Sequence, residues 1–202
     1  MYKNNRKEHL YSVALKLFLT KRYEGVSISD IEKASGMTRG AISYYGKDKL
    51  GLFYNVIKHC LVDKQNLDYK MNPTPPRSLQ EFIENYIQGC RETLENLRDI
   101  DRSITNGSRG YMALILQICD FFPDLNEQYL TNRNNELLRW IEIINLAIRE
   151  NEIRGDIDVL ATAKSFMNIF YGQSFLDALS VGLNIMDLKL QFQNLYNLLK
   201  QQ

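Results

Sequence analysis

The sequence predicts an all-α protein of about nine helices, and three observations support this fold class. Apolar residues recur at helical spacing, as in the first stripe of Leu10, Val13, Ala14, Leu17 and Phe18. Glycine, proline and N-capping residues separate the successive stripes. No segment alternates apolar and polar residues in the way that is typical of strands. We therefore expect helices packed around a sizeable core.

The first two predicted helices differ in length. The apolar stripe predicts a first helix over residues 8–23, which Gly25 ends. Two capping boxes compete for the start of the second helix, because both Ser27 and Ser29 are followed three residues later by an acidic side chain. Either start gives a helix of about two turns, which must be stabilised by tertiary packing.

A third short helix follows a glycine turn. Gly36 ends the second helix, and Thr38 is a suitable N-cap for a helix that runs through Tyr44. Gly46 then stands where a left-handed residue commonly ends a helix. The order of short helix, glycine turn and short helix is typical of a helix-turn-helix.

Six further helices are predicted, with capping residues or helix breakers at their limits. Asp48 caps a long fourth helix, which the proline-rich residues 72–76 end. Residues 99–110 are polar and contain two glycines, so we expect a loop there. The predicted helices span residues 48–69, 78–94, 111–122, 124–150, 159–181 and 187–201.

Charge is distributed unevenly along the chain. The first 60 residues contain eleven Lys or Arg and five Asp or Glu, whereas the remainder contains fourteen and nineteen. A basic first third is typical of a nucleic-acid-binding region, although a solvated basic face gives the same count. No run of eighteen uncharged apolar residues and no signal-peptide pattern occurs, so we expect neither a membrane span nor secretion.

The reactive residue types form no recognisable catalytic or metal-binding pattern. Cys60, Cys90 and Cys119 are far apart within apolar helical patterns, so we expect buried free thiols in a reducing cytoplasm. His9 and His59 stand on different helices without the spacing of metal ligands. Nucleotide-binding and hydrolase motifs are absent from the sequence. We therefore predict no catalytic residue, no metal and no cofactor, and we do not expect an enzyme.

The chemistry of the third helix suits DNA. Arg39 can bond a guanine edge or a phosphate, and the hydroxyls of Thr38, Ser43 and Tyr44 suit phosphates or bases. Gly40 would let the DNA backbone approach closely, at a cost of roughly 0.5–1 kcal/mol in helix stability.

The residues from Gly25 to Ile42, followed by Tyr45, Lys49, Leu52 and Phe53, resemble the N-terminal domain of the tetracycline-repressor (TetR) family of bacterial transcription regulators. This resemblance covers residues 8–60 and implies a DNA-binding domain over residues 1–47, with an effector-binding and dimerisation domain over residues 48–202. It implies that residues 38–44 form the recognition helix, that Ser27 caps the second helix and touches a phosphate, and that Tyr45 and Lys49 contact the DNA backbone. The predicted DNA-binding residues are Ser27, Thr38, Arg39, Gly40, Ser43, Tyr44, Tyr45 and Lys49.

Two positions depart from the family pattern. The family most often has an aromatic residue where Ser43 stands and a phenylalanine where Gly46 stands. Both departures concern how the recognition helix packs, so its tilt does not follow from the resemblance. Tyr45 also has an alternative role, as a half-buried aromatic that holds the short third helix against the fourth.

The remaining helices carry aromatic and polar residues on shared faces. Such a mixture can line an apolar pocket with a few hydrogen-bonding groups, and the resemblance implies a pocket for a small-molecule effector in this region. Core packing is the commoner explanation for any one of these residues. The candidate pocket residues are Tyr86, Cys90, Tyr111, Trp140, Phe170 and Tyr171.

The last two helices, within residues 159–201, are apolar on more than one face, so we expect them to pair with a second copy of the chain. The sequence then predicts a homodimeric regulator, most simply a repressor, which binds a near-palindromic operator and is released by an effector. An activator would use the same parts. A helical protein-interaction adaptor, or a small-molecule-binding bundle without specific DNA binding, is the alternative function.

Overall fold

A computed structural model of the protein describes residues 2–63, 76–100 and 107–200. Within these ranges the chain forms nine α-helices and no strand, which confirms the predicted fold class. A π-helical turn, Lys58–Val62, follows the fourth helix, and the rest of that predicted helix beyond residue 63 lies outside the described residues. The helices are α1 (Tyr2–Lys21), α2 (Ile28–Ser35), α3 (Arg39–Gly46), α4 (Lys49–Ile57), α5 (Leu79–Ile100), α6 (Gly107–Phe121), α7 (Pro123–Arg149), α8 (Val159–Ala178) and α9 (Ile185–Leu199).

The chain divides into two compact units, each with its own hydrophobic core. The first unit comprises Met1–Gln65 and Asn96–Tyr129, and the second comprises Asn66–Glu95 and Leu130–Gln202. Helix α4 shares the first core with α1, α2 and α3. The division of function at residues 47 and 48 stays a prediction, because it concerns which residues bind DNA and which bind an effector.

The boundary between α1 and α2 is fixed by local backbone chemistry. Helix α1 ends at Lys21, before the predicted stop at Gly25, and the next residue, Arg22, has a left-handed φ of 60°. Of the two competing capping boxes, the Ser27 box forms: its hydroxyl accepts the backbone N–H of Asp30, and the Asp30 carboxylate accepts the backbone N–H of Ser27. Gly36 ends α2 with a φ of 67° and donates its N–H to the carbonyl of Glu32, as predicted.

The predicted loop over residues 99–110 is wrong at both ends. Helix α5 continues to Ile100 and α6 begins at Gly107, while residues 101–106 lie outside the described residues. A β-carbon at Gly110 would lie 2.7 Å from the carbonyl oxygen of Leu19 in α1. The glycine that indicated a loop therefore lies inside a helix, where its missing side chain allows α6 to pack closely against α1.

The carboxylate of Glu152 forms hydrogen bonds with two helices of the second unit. Its carboxylate accepts the backbone N–H groups of Leu79 and Gln80 at 2.8 and 2.9 Å, which caps the first turn of α5. It also accepts the hydroxyl of Tyr196 in α9 at 2.9 Å. Burial, followed by this hydrogen bond, raises the pKa of Tyr196 to about 12. One carboxylate thus holds α5 and α9 together.

The prediction that the cysteines form no disulfide is correct, whereas the predicted burial of one of them is wrong. All three cysteines are free thiols. Cys60 and Cys90 are partly buried, but Cys119 is exposed on α6, where its thiol lies 3.4 Å from the side-chain oxygen of Asn126. An apolar neighbourhood in sequence therefore did not place Cys119 on the buried face of its helix.

Candidate nucleic-acid interface

Helix α3 presents one polar face to solvent and packs its other face against α4. Arg39, Gly40, Ser43 and Tyr44 are exposed, and the side chain of Tyr44 is 73% exposed. Ile42 on the opposite face is buried. Thr38 caps the helix, as predicted, by accepting the backbone N–H of Ala41. The exposed side chains are the guanidinium and hydroxyl groups that suit bases and phosphates.

Gly46 determines how closely α3 approaches α4. A β-carbon at this position would lie 2.3 Å from Cα of Leu52 and 2.4 Å from its backbone nitrogen. The left-handed conformation predicted for Gly46 is wrong, since the positive-φ glycines among the described residues are Gly36 and Gly182. Gly46 is instead the last residue of α3, and it is buried directly on the α4 backbone. The family usually has a phenylalanine at this position, whereas in this chain the backbone of Gly46 lies directly against the backbone of Leu52.

The two adjacent tyrosines have different environments. The rings of Tyr44 and Tyr45 meet edge to face, with centroids 5.1 Å apart and planes at 89°. Tyr45 is partly buried and packs against the first core, and its backbone carbonyl accepts the side-chain amide of Asn55 at 2.8 Å. Tyr45 therefore holds α3 against α4, which was its alternative role, while Tyr44 projects into solvent.

Lys49 is less available than its predicted role requires. Its ammonium group donates to the backbone carbonyls of Tyr23 and Val26, and it lies over the ring of Tyr23. An ammonium group has three N–H donors, so one remains for a phosphate. Lys49 thus has a structural role, and its contact with the DNA backbone stays a prediction.

Three predicted DNA-binding residues line one open depression. Ser27, Arg39 and Lys49 stand at the N-terminal ends of α2, α3 and α4, around a volume of about 530 Å³. Asp30 lies there too, and the hydroxyl and backbone N–H of Ser27 lower the pKa of its carboxyl. Glu24 also lines the depression, so two carboxylates oppose the partial positive charge and free N–H groups of the helix N-termini, which favour a phosphate.

The candidate effector residues fall into two groups. Five of them belong to the second core or pack against it, namely Tyr86, Cys90, Trp140, Phe170 and Tyr171. The ring centroids of Tyr86 and Trp140 are 5.4 Å apart. The remaining candidate, Tyr111, packs against the first core. Trp140 is fully buried and stacks on Phe166, with centroids 4.6 Å apart. The core-packing interpretation therefore fits Trp140 at least as well as a pocket wall does.

The structure adds Glu136, which sequence reasoning missed. It lies on α7, and its carboxylate accepts the hydroxyls of Tyr86 and Tyr171 at 2.7 and 2.8 Å. Glu136 is only 8% exposed. The available signal was its position one helical turn before Trp140, which places an acidic residue on the apolar stripe of α7.

Other kinds of site receive no support from the described part of the chain. There, no cluster of three or more His, Cys, Asp or Glu side chains could hold a metal ion. Among the same residues, no helix is both long and apolar enough to cross a membrane.

Comparison with known proteins agrees with this geometry. Residues 10–56 match the model of the bacterial regulatory proteins of the tetR family. The HTH-type transcriptional regulator AcrR of Shigella flexneri is 28% identical over 131 residues, which cover 63% of this chain and 56% of that relative. The match thus spans less than two thirds of the relative's length, and it includes more than the helix-turn-helix region.

Solved structures with the same fold cover nearly the whole chain. A TetR-family transcriptional regulator from Cytophaga hutchinsonii matches with a TM-score of 0.66 at 15% identity, covering 100% of this chain and 98% of that one. TylP, a TetR regulator from Streptomyces fradiae, matches with a TM-score of 0.64 at 17% identity, covering 100% and 89%. At these identities the likeness concerns the fold. Over residues 10–56 the chain is therefore similar to the tetR family of bacterial regulatory proteins, and it shares the fold of these two TetR-family regulators.

Proposed function

We propose that the chain is a ligand-responsive transcriptional regulator that binds double-stranded DNA as a homodimer. One observation carries this proposal: α3 exposes Arg39, Gly40, Ser43 and Tyr44 on one face while Ile42 and Gly46 anchor the other. A helix with one free polar face fits the major groove, where base edges are distinguishable. Such a protein would act in the cytoplasm, and the proposal includes no enzymatic step.

Dimerisation through residues 159–201 is supported by the surface of α8, α9 and their connection. Large apolar side chains remain exposed there in the single chain, which is costly in water and is typical of an interface. A second copy would cover them and would present two recognition helices to two half-sites, about 34 Å or a multiple of that distance apart. The exposed residues include Phe175, Leu176, Leu179, Met186, Leu190 and Leu198.

Release by a small-molecule effector follows from population shift. An effector that binds the second unit must prefer the dimer that is incompetent for DNA by about 1.4 kcal/mol for each tenfold loss of operator affinity. Repression is the simplest outcome, because a bound dimer then blocks transcription until the effector arrives. The name of the Shigella flexneri relative, a transcriptional regulator, supports the regulatory part of this proposal.

The test begins with selection of bound genomic fragments, which identifies the operator and the neighbouring gene. Fluorescence anisotropy then measures affinity for this operator across a salt series, and we expect the affinity to fall as salt rises. Arg39→Ala should weaken binding about tenfold or more, since a lost base contact costs about 1–3 kcal/mol. Arg149→Ala, at an exposed position in the last turn of α7, is the matched control. Absence of binding at low salt would contradict the proposal.

A further inference from the structure

The connection between α1 and α2 holds an arginine in an unfavourable backbone conformation. Arg22 has a φ of 60°, and its backbone N–H donates to the carbonyl of Phe18 at 3.0 Å. A residue with a side chain is strained in the left-handed region, so glycine, or less often asparagine, usually stands there. Among the described residues, the other non-glycine residue with a positive φ is Asn151, which is of the tolerated type. Strain of this kind is retained at functional sites, so Arg22 calls for a functional explanation.

The guanidinium group of Arg22 has no polar partner within the described chain. Arg22 is exposed, and its side chain forms neither a hydrogen bond nor an ion pair with any of the described residues. The preceding residue, Lys21, is paired instead, since its ammonium group lies 3.8 Å from the carboxylate of Asp30. No polar contact in the fold therefore compensates the left-handed conformation of Arg22, which points to a partner outside the chain.

The residues on both sides of Arg22 are bonded to groups that line the open depression at the N-terminal ends of α2, α3 and α4. Lys21 pairs with Asp30, and the carbonyl of Tyr23 accepts the ammonium group of Lys49 at 3.0 Å. Asp30 and Lys49 both line the depression. The backbone of Arg22 therefore lies beside this depression, and an extended arginine side chain can reach its edge.

The charged groups that line the depression do not by themselves favour an anion. They are the carboxylates of Glu24 and Asp30 and the cationic groups of Arg39 and Lys49, so their formal charges cancel. Lys49 also donates to two backbone carbonyls, which leaves one of its three N–H groups. A further cation at the edge, such as the guanidinium group of Arg22, would make the local potential positive and would attract a phosphate.

We propose that Arg22 binds a phosphate of the DNA backbone at the edge of this depression, and that the contact explains an arginine in a left-handed position. This inference rests on the proposed DNA-binding function and adds a residue to the predicted DNA-binding set. A guanidinium group can donate to two oxygens of one phosphate at once, which glycine and asparagine side chains cannot do. Because phosphates carry no sequence information, the contact strengthens binding to any duplex.

The experiment uses three variants that separate the backbone of Arg22 from its charge. Arg22→Gly removes both the strain and the guanidinium group. Arg22→Asn is compatible with the left-handed backbone but is uncharged, whereas Arg22→Lys keeps a positive charge. Fluorescence anisotropy measures the affinity of the full chain for the selected operator and for a random duplex, each across a salt series. Urea unfolding of each variant measures its stability.

Loss of the charge should weaken binding to both duplexes. We expect Arg22→Gly and Arg22→Asn to bind each duplex about three- to tenfold more weakly, and the salt dependence of log affinity to lose about 0.9 of its slope for each lost contact. Arg22→Lys should keep most of the affinity and of the slope, because an ammonium group also binds phosphate. The urea midpoint of Arg22→Gly should equal or exceed that of the wild type, since relief of strain offsets the greater freedom of unfolded glycine.

Two control variants alter the second unit in matching ways. Asn151→Gly relieves the other left-handed residue, and Arg149→Ala removes an exposed positive charge. Both controls should keep the wild-type affinity for the two duplexes and the wild-type salt slope. A loss confined to the Arg22 variants therefore cannot come from backbone relief or from a change in net charge alone.

Three results would overturn the inference. An unchanged salt slope in Arg22→Gly would mean that no phosphate contact is lost, and an equal loss in Arg22→Lys would mean that the charge is not the cause. A lower urea midpoint of Arg22→Gly would mean that the arginine is retained for the stability of the fold. Arg39→Ala, measured on the same duplexes, distinguishes the two proposals. Weaker binding by Arg39→Ala with unchanged binding by Arg22→Gly contradicts only the Arg22 contact, whereas absence of wild-type binding contradicts both.

Discussion

The ammonium nitrogen of Lys49 lies 3.0 Å from the carbonyl oxygen of Tyr23 and 2.9 Å from that of Val26. It is also 4.1 Å from the centroid of the Tyr23 ring. The first residue of α4 is thereby tied to the segment between α1 and α2. A side chain that is predicted to contact DNA therefore also stabilises the helices that present α3.

Replacing Lys49 should consequently affect folding as well as DNA binding. Lys49→Ala removes the side-chain donor to both carbonyls, of which that of Tyr23 keeps the backbone N–H of Val26, and we expect a loss of about 1–3 kcal/mol in the free energy of unfolding. Thermal unfolding followed by circular dichroism measures this loss. Arg39→Ala is the matched comparison, because Arg39 is exposed and its loss should leave the melting temperature unchanged. An unchanged melting temperature in Lys49→Ala would refute the structural role.

The three glycines of the recognition region should respond differently to alanine, and two of them form a direct test. Gly46→Ala places a methyl group against the Leu52 backbone, and we expect a destabilisation of about 1–3 kcal/mol or more. Gly40→Ala meets no atom within 4 Å and should stabilise the isolated protein by about 0.5–1 kcal/mol. Urea unfolding measures both changes.

Operator affinity provides the second half of this test. If Gly40 allows close approach of the DNA backbone, Gly40→Ala should bind the operator more weakly even though it is more stable. Equal stability of the two alanine variants would show that α3 and α4 can separate without cost, contrary to the packing at Gly46.

The Ser27 capping box predicts a pH-dependent difference in stability. Ser27 lowers the pKa of Asp30 through its hydroxyl and its backbone N–H. The stabilisation is therefore present above the unfolded pKa of about 3.9, and it is lost as pH falls through the lower folded pKa. We expect Ser27→Ala to unfold at lower urea concentration at neutral pH, and the gap from wild type to narrow below about pH 3.9.

Ser29→Ala is the control for this prediction, because Ser29 belongs to the capping box that does not form. Its unfolding midpoint should match that of the wild type at both pH values. An NMR titration gives the complementary measurement, in which the pKa of Asp30 should rise toward its ordinary value in Ser27→Ala. A gap that stays constant with pH would exclude a contribution from the Asp30 charge.

The exposed apolar residues of the last two helices predict the oligomeric state. Leu179 is 65% exposed in the single chain, and Leu179→Glu should convert the proposed dimer into a monomer because it would bury a charge in the interface. Analytical ultracentrifugation at micromolar concentration measures the mass. Leu116→Glu, at a 64% exposed position on α6, should leave the dimer intact. A monomeric wild-type chain would remove the paired-half-site arrangement.

The starts of α3, α4 and α8 were predictable, because their signals lie within three or four residues. Thr38, Asp48 and Asp158 each accept a backbone N–H three residues later, as their capping role requires. These bonds form inside one turn of helix, so the residue type alone indicates them. The same locality explains why the helix-turn-helix and its exposed residues could be identified before any contact was known.

Features that depend on residues distant in sequence were not predictable. The predicted cap on α5 forms, because the Ser78 hydroxyl accepts the backbone N–H of Glu81, but two further N–H groups of its first turn are capped by Glu152, more than seventy residues away in sequence. Gly110 indicated a loop until its close approach to Leu19 was known. The partners of Glu136 are tyrosines on α5 and α8, whereas its position on the apolar stripe of α7 indicates only that it faces a core. Nothing in the local pattern of any of these positions names its partner.

The contact of Gly46 with Leu52 limits how a recognition helix could be exchanged between regulators to change the operator that is bound. Recognition helices are attractive units to exchange, since a few side chains select the operator. Here the helix and the one that supports it meet backbone to backbone, without a side chain as a spacer. A donor segment that carries the usual phenylalanine at this position would have no space, so an exchange would have to include α3 and α4 as one piece.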